Sequence, residues 1–446
     1  MKVIIRIADK ILQRITPDPF VIAILLTVAT YLLAVGTTDS NVQESITAWG
    51  GGLWNLAEFT LKMAMILLGG FVVAKSPPMQ ASLRYLIRFI TTPSQAVLFC
   101  TLASLLASWI NWGFGLVIGG VVALEVAKQV PAASFRVLVA ASYSGFLVWH
   151  AGLSGSIPLA LNTETDTITA TVVGQVIPLS QSTFGTLNLI ALASICILLP
   201  LVNLLLMRSV GDEPDPFDSA DLKKGSAAHK DPAVGNSSDQ QDRSLIENNI
   251  LLALALGGMG LFYLVTIYQA GQFKLNLDSV MTIFFMLGLL LHGSPRAFLK
   301  SVEEAVPKIA PILIQYPLYA GIMALLVDTG LAQQISEFFV RSANSDTLPL
   351  LAFYSAGLVN LFVPSGGGQW AVQAPVIIPA VEQLGADMNK TVMAVAWGDA
   401  WTNMLQPFWA VPLLSIAGLK IKDIIGLLLI VLISSGIVLS LIFWLV

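Results

Sequence analysis

The sequence predicts an all-α polytopic membrane protein made of two inverted repeats, each with a re-entrant hairpin and a broken transmembrane helix, plus a linker helix. Three observations predict it. Of 446 residues, 56% are hydrophobic and 11% charged, against roughly 25% charged in soluble domains. Apolar runs recur along the whole chain, and a transmembrane helix needs about 20 mostly apolar residues. Two of those runs are interrupted midway by polar, glycine-bearing stretches, Asn111-Trp112-Gly113-Phe114-Gly115 and Val363-Pro364-Ser365-Gly366-Gly367-Gly368-Gln369-Trp370.

Taken in order, the chain opens with Lys2, Arg6, Lys10 and Arg14, four apart and therefore on one helical face. Residues 1–17 are expected to form an interfacial amphipathic helix on an anionic membrane surface, with no cleavable signal peptide. The first membrane repeat, 18–208, contains spans near Phe20–Gly36, Glu58–Lys75, Ser134–His150 and Thr186–Met207. Residues 209–247 include the Asp-, Ser-, Gly- and Pro-rich insert Gly211–Gln241, too poor in apolar residues to build a core and expected to be a disordered cytoplasmic linker. A linker transmembrane helix, 248–270, follows with its span at Ile250–Tyr268. The second repeat, 271–446, contains spans near Ser279–His292, Ile309–Val327, Asn389–Leu405 and Asp423–Val446. The interrupted segments Pro93–Gln129 and Leu348–Gln383 are expected to be re-entrant hairpins. Aligning Asn111 with Asn360 superposes the hairpins, the amphipathic segments Ser82–Phe89 and Ala332–Phe339, and the breaks around Gly145 and Gly398. Four spans per half and one between them give the parity that an inverted repeat requires.

Charge supports this layout. With a cytoplasmic amino terminus, the outer loops Thr37–Ala57, Ala151–Gly185, Gln269–Asp278 and Asp328–Thr347, with the outer mouth of the second hairpin, hold only Lys274, Arg341 and Lys390. Apart from Lys62 within a span, every other Lys and Arg falls on the inner side, as the positive-inside rule demands. Net charge is only −4, without a basic face, so nucleic acid is an unsuitable partner. Cys100 and Cys196 lie in apolar runs and read as packing residues. There is no phosphate-binding loop for ATP and no zinc, haem or iron–sulfur spacing, so no cofactor is expected.

Backbone broken at membrane depth is tolerated only where protein or a wet cavity meets it. A helix beginning there points free N–H groups and a partial positive charge at the cavity, which suits a carboxylate without any Arg. The candidate substrate-binding residues are therefore Asn111, Gly113 and Gly115 at the first tip, and Ser365, Gly366, Gly367, Gly368, Gln369 and Gln373 at the second. The bland alternative is that these glycines only allow tight helix packing. A second cluster, Asp399, Thr402 and Asn403, precedes Gln406-Pro407, where proline removes a backbone donor. Its oxygens suit Na⁺ at Asp399, or the carboxylate alone carries H⁺; the bland alternative is a hydrogen bond across helices. His150, followed by Ser154 and Ser156, reads as an interfacial span-end residue; Glu58 and Lys62 read as an i,i+4 pair. Trp49, Trp54 and Trp149 read as belt anchors.

Leu12–Leu26 with its Thr-Pro-Asp-Pro-Phe, Asn111–Val117, Val363–Gln369 and Ala394–Pro412 together resemble the bacterial short-chain fatty acid transporter family along nearly the whole chain. The resemblance implies an inner-membrane protein taking up small monocarboxylates such as acetoacetate or butyrate. It also places the chain in the ion transporter superfamily, whose members have inverted repeats, paired hairpins and often homodimers. The sodium-dicarboxylate branch carries Ser-Asn-Thr at its tips, whereas this chain has Asn-Trp-Gly-Phe-Gly and Ser-Gly-Gly-Gly-Gln; Asp399 matches the acidic position of the second broken helix. The expectation is a secondary active transporter coupled to H⁺ or Na⁺, not an enzyme. Its rivals are a passive carboxylate channel and a membrane-embedded acyl enzyme, the latter lacking an activated nucleophile.

Overall fold

The computed structural model describes residues 19–210, 246–361, 363–405 and 409–446. The helix expected over 1–17, most of the linker expected over 209–247, and Gln406-Pro407 lie outside the described residues. Among those described, every regular element is helical, and nine segments are long and apolar enough to cross a membrane.

The first half comprises α1 (Pro19–Thr37), α2 (Val42–Gly52), α3 (Ala57–Lys75), α4 (Pro77–Ile87), α5 (Pro93–Ile110), α6 (Trp112–Gln129), α7 (Phe135–Ser144), a 3₁₀ turn (Gly145–Ala151), α8 (Ser156–Leu161) and α9 (Thr186–Val210). The linker helix is α10 (Ile250–Gln269). The second half comprises α11 (Leu277–His292), α12 (Pro295–Asp328), α13 (Leu331–Ser342), α14 (Leu348–Asn360), α15 (Gly366–Leu384), α16 (Met388–Thr402), α17 (Ala410–Ala417) and α18 (Ile425–Leu445). Local chemistry sets several starts. Thr92 and Gln95 form a capping box ahead of Pro93, and Ser294 caps the turn opened by Pro295.

The order long helix, short amphipathic helix, hairpin, broken helix runs through α3–α7 with its turn and recurs in α12–α16. Packing repeats with it. Helix α3 lies on α6 as α12 lies on α15, and α5 lies on α7 and its turn as α14 lies on α16. Helices α9 and α18 pack across the halves. The hydrophobic core is continuous through both repeats, while α1 and α10 show apolar side chains such as Leu32 and Phe262 outward. In a bilayer that is the lipid-facing surface, since lipid tails are as apolar as the side chains themselves.

Three differences from the sequence reading have physical causes. The span expected at Ile309–Val327 is the distal part of the 34-residue helix α12, which continues through Pro307, Pro311 and Pro317; proline is tolerated in membrane helices because neighbours re-satisfy the freed carbonyls. The loop expected over Thr37–Ala57 contains α2, started by an Asn41–Glu44 capping box. Asn360 does end the first arm of its hairpin, but the cap of the second arm is Ser365, whereas Asn111 fills both roles in the first hairpin.

Candidate functional site

The first tip is made by one residue leaving the helical region. Asn111 is extended (φ −153°, ψ 127°), and its Oδ1 accepts from Phe114 N at 2.9 Å, which caps α6. Trp112 N donates to Ser154 Oγ at 2.9 Å, and Gly115 N to Asn111 O at 2.8 Å. That leaves Gly113 as the first-turn amide that no cap takes up. The glycines also pack closely. A Cβ at Gly113 would lie 2.9 Å from Leu67 Cα, and one at Gly115 would lie 2.6 Å from Ser108 Cα. Close packing accounts for Gly115, while Gly113 combines packing with a free amide.

Ser365 builds the second tip in the same way. Extended at φ −160°, it accepts from Gly368 N at 3.4 Å and donates to Tyr316 Oη at 2.7 Å. Gln369 N reaches Ser365 O at 2.6 Å, so Gly366 and Gly367 keep the uncapped amides of this turn. Gln369 Nε2 donates to Ala356 O at 2.9 Å and to Gln373 Oε1 at 2.7 Å, and Gln373 Nε2 donates to Ser355 Oγ at 3.2 Å. Rings crowd the glycines. A Cβ would lie 2.5 Å from Trp149 Cη2 at Gly366, 2.5 Å from Phe59 Cζ at Gly367 and 2.9 Å from Tyr319 Cε2 at Gly368.

Both tips touch the turn Gly145–Ala151. Trp112 and Trp149 have ring centroids 6.0 Å apart, and Gly366 abuts Trp149 and His150. Neither Trp149 nor His150 is interfacial, contrary to the sequence reading: both are buried, because the chain tightens into 3₁₀ geometry after Ser144 and turns the two side chains inward. Trp54 does remain exposed, at 72%. Lys62 pairs with Glu58 at 2.8 Å as expected and also with Asp278 at 3.0 Å.

The broken helix of the second half meets that turn. Asn403 Oδ1 accepts from Trp149 Nε1 at 3.1 Å, its Nδ2 donates to Asp399 O at 3.0 Å, and its carbonyl accepts from Tyr143 Oη at 2.9 Å. Thr402 Oγ1 donates to Gly357 O at 2.8 Å and accepts from Asn360 Nδ2 at 2.9 Å. Thr402 and Asn403 are thus engaged in bracing α16 against α14 and the turn. Asp399 stands apart: its Oδ1 lies 3.5 Å from His150 Nε2, with both side chains wholly buried. That spacing is long for a hydrogen bond and short enough for an ion pair.

The polar atoms divide by character. Among the described residues, buried donors without a partner near the site include Asn111 Nδ2, Trp112 Nε1 and Trp370 Nε1; unpartnered acceptors include Gln369 Oε1, Asn360 Oδ1 and both oxygens of Asp399. His150 leaves both ring nitrogens open. Reversing the Gln369 amide would set its oxygen against two other acceptors, so the network fixes its orientation. The first tip therefore offers donors, the second offers its main-chain amides, the Trp370 indole N–H and the Gln369 oxygen, and the broken helix offers the Asp399 carboxylate. Sequence reasoning overlooked Trp112, Tyr316, Tyr319 and Phe59; Trp112 lies within the first break, and the other three stand on helices whose spacing carries no signal toward the tips.

The family described as short chain fatty acid transporter matches over residues 1–446. The chain belongs to the short-chain fatty acid transporter family. A relative from Escherichia coli (strain K12), provisionally named a short-chain fatty acid transporter, is 37% identical over 438 residues, 97% of each chain. One from Haemophilus influenzae (strain ATCC 51907 / DSM 11121 / KW20 / Rd), named likewise, is 36% identical over 436 residues, 94% of each. In fold alone, the chain is similar to the YdaH transporter of Alcanivorax borkumensis, with TM-score 0.56, 16% identity and coverage of 95% of this chain and 98% of that one. Membership of the short-chain fatty acid transporter family makes this chain a transporter and not an enzyme. Among the described residues, no group of three or more His, Cys, Asp or Glu is placed to hold a metal.

Proposed function

We propose that the chain is a secondary active transporter that takes up short-chain monocarboxylates, such as butyrate or acetoacetate, by symport with H⁺ or Na⁺. It works in a bacterial inner membrane with the amino terminus cytoplasmic, and the hairpin-bearing region moves by an elevator or rocking motion. The observation that carries this reading is the meeting of both tips at one buried turn, where unpartnered buried donors and acceptors gather.

A carboxylate is an acceptor with four lone-pair sites. Its donors come from the Nδ2 group of Asn111, the indole N–H of Trp112 and the uncapped amides of Gly113, Gly366 and Gly367, of which up to four can bond it at once. Ser365, Gly368, Gln369, Gln373 and Gly115 hold those groups in place. The rings of Phe59, Tyr319 and Trp149 against the glycine bend favour an acid of few carbons. Asp399 supplies the coupling function, with Thr402 and Asn403 fixing its helix.

Uptake of labelled butyrate and acetoacetate into proteoliposomes tests the reading, with protein-free vesicles as the blank because neutral short acids cross lipid unaided. Asn111→Ala and Gln369→Ala should each lower uptake by about tenfold or more, the scale of one lost charge-assisted hydrogen bond or a disordered tip. Wild-type uptake in both variants would overturn the site. Downhill flux that never concentrates substrate would make the protein a channel.

A further inference from the structure

Resting on the symport reading above, we propose that the coupling ion is a proton and that it is carried by the buried His150–Asp399 pair. Asp399 comes from the broken helix of the second repeat, and His150 from the broken helix of the first. The pair therefore bridges the two halves beside both hairpin tips.

Sodium requires several converging oxygens, and among the described residues most of those beside Asp399 are already engaged, with Asn360 Oδ1 the one neighbouring amide oxygen left without a partner. The hydroxyl of Thr402 and the amide oxygen of Asn403 are engaged with Asn360 Nδ2 and Trp149 Nε1, while the main-chain oxygen of Asp399 accepts from both Asn360 and Asn403. The nearest polar atom given to the carboxylate is a ring nitrogen at 3.5 Å. Imidazolium beside a sodium-filled carboxylate would be repelled, whereas imidazolium beside a bare carboxylate, the two sharing one proton, is attracted.

Among the described residues, the other charges on elements packed against this pair are engaged or exposed: Glu125 and Lys128 on α6 pair with each other at 2.6 Å, Arg136 on α7 donates to Asp423 O at 2.8 Å, and Arg208 is exposed at the end of α9. The 3₁₀ turn brings only His150, and α14, α8 and α18 bring no acid or base apart from the Tyr354 hydroxyl, which is bonded to Ser440. Tyr143 faces Asn403 O, Tyr316 faces Ser365 and Tyr319 faces Gln315, all as neutral phenols. Glu382 is exposed in the last turn of α15, at the end away from the tip, and Lys390 lies nine residues before Asp399 on α16.

The charge states then set the order of binding. With one proton, the pair is neutral overall, either as imidazolium with carboxylate or as imidazole with carboxylic acid. Without it, a bare carboxylate stands beside the tips in a site closed to water, an environment that strongly disfavours it, and the substrate anion is repelled. The proton enters first from the outer water, onto Asp399 Oδ or His150 Nε2; the carboxylate then binds the tip donors. Release to the cytoplasm runs in the same order, and each cycle moves one proton with one anion and no net charge.

The test uses the full-length protein in proteoliposomes loaded with acetoacetate, the stronger acid, whose neutral form is scarcer at neutral pH. A pH gradient without sodium and a sodium gradient at equal pH are imposed separately, and initial rates are taken above protein-free vesicles. The pH gradient alone should concentrate substrate, up to about tenfold per unit for one proton. Asp399→Asn should exchange labelled for unlabelled acetoacetate but lose accumulation, and His150→Gln should lose the acid stimulation of uptake. Thermal melting in detergent confirms that both variants fold, and if either does not, Asp399→Ala and His150→Asn replace them. Accumulation driven by sodium alone, or accumulation by pH that survives in both variants, overturns the proton pair and leaves symport standing. Downhill flux with no accumulation under either gradient overturns symport itself.

Discussion

Replacing Asn111 by Asp separates two roles of one side chain. The amide oxygen caps α6 by accepting from Phe114 N at 2.9 Å, while Nδ2 has no partner and the residue is wholly buried. Asp caps as well as Asn does, so the hairpin should keep its shape. What changes is the atom facing the substrate. A charge-assisted hydrogen bond is worth about 1.5–3 kcal/mol, and losing it costs about tenfold to a hundredfold in affinity. Two like charges at about 4 Å in an effective dielectric near 20 add about 4 kcal/mol, or about another thousandfold. Where the introduced carboxyl is ionised, Asn111→Asp should therefore show no measurable substrate binding, with a melting temperature close to that of the unaltered protein. Asn111→Ala loses the same donor and also the cap, about 1 kcal/mol of stability, yet escapes the repulsion, so it should bind more tightly than Asn111→Asp. Acidification distinguishes them further, because a protonated carboxyl is itself a donor: transport by Asn111→Asp should recover at acid pH, and transport by Asn111→Ala should not. Titration calorimetry with butyrate across pH reads the affinities, and proteoliposome uptake at acid and neutral pH reads the recovery. Near-normal affinity of Asn111→Asp at neutral pH would refute the assignment of a carboxylate to this donor.

Other consequences are smaller. Gly115→Ala forces a methyl against Ser108 Cα at 2.6 Å and N at 2.7 Å, so it should destabilise by about 1–3 kcal/mol and melt lower in detergent, while Gly50→Ala, with nothing within 4 Å, should not. Burial holds the carboxyl of Asp166, in the loop after α8, above its usual range, against weaker opposing hydrogen bonds from Thr169 and the charge of Lys62. Its charged form therefore costs stability that is absent at low pH and appears as pH rises through the carboxylate range. Asp166→Asn retains an oxygen for Thr169 N, given as 2.9 Å from Asp166 Oδ1, so it should melt higher at neutral pH by on the order of 1 °C, a gain that vanishes on acidification. Trp149→Phe removes the 3.1 Å bond to Asn403 and should cost about 0.5–1.5 kcal/mol; unchanged melting would place Trp149 outside the packed interior.

Much of the fold was legible because bilayer thickness imposes a length and lipid forbids open backbone. The apolar runs and their polar breaks at Asn111–Gly115 and Ser365–Gln369 follow directly from those two constraints. Asp399 was legible for the same reason, as a charge where charge is expensive. His150 and Trp149 were not. Linear spacing extends the Ser134–His150 run as a regular helix ending at the interface, and only the tightening to 3₁₀ geometry after Ser144 turns both inward. Nor could the sequence say which side-chain atoms stay open. Gln369 looked like a donor to a carboxylate, but Ala356 O and Gln373 Oε1 take its N–H groups and leave its oxygen free. Tyr316 and Tyr319 sit within a long helix whose spacing says nothing about the Ser365 and Gly368 they touch.

The absence of a fixed cation near the tips bears on why a symporter suits this site. Among the described residues, the buried charged side chains are Lys62, Asp166 and Asp399, with His150 the remaining ionisable base. Lys62 is already held by Glu58 and Asp278. A permanent Arg or Lys beside the tips would bind a carboxylate in a dry site strongly, and it would do so equally whichever way the site faced. Affinity independent of state lowers no barrier to release and shifts no equilibrium between the two orientations. Main-chain amides and neutral donors bind more weakly and leave the sign of the site to a removable ion. A carrier built this way concentrates its substrate only as far as that ion's gradient allows, and it releases the acid when the ion leaves.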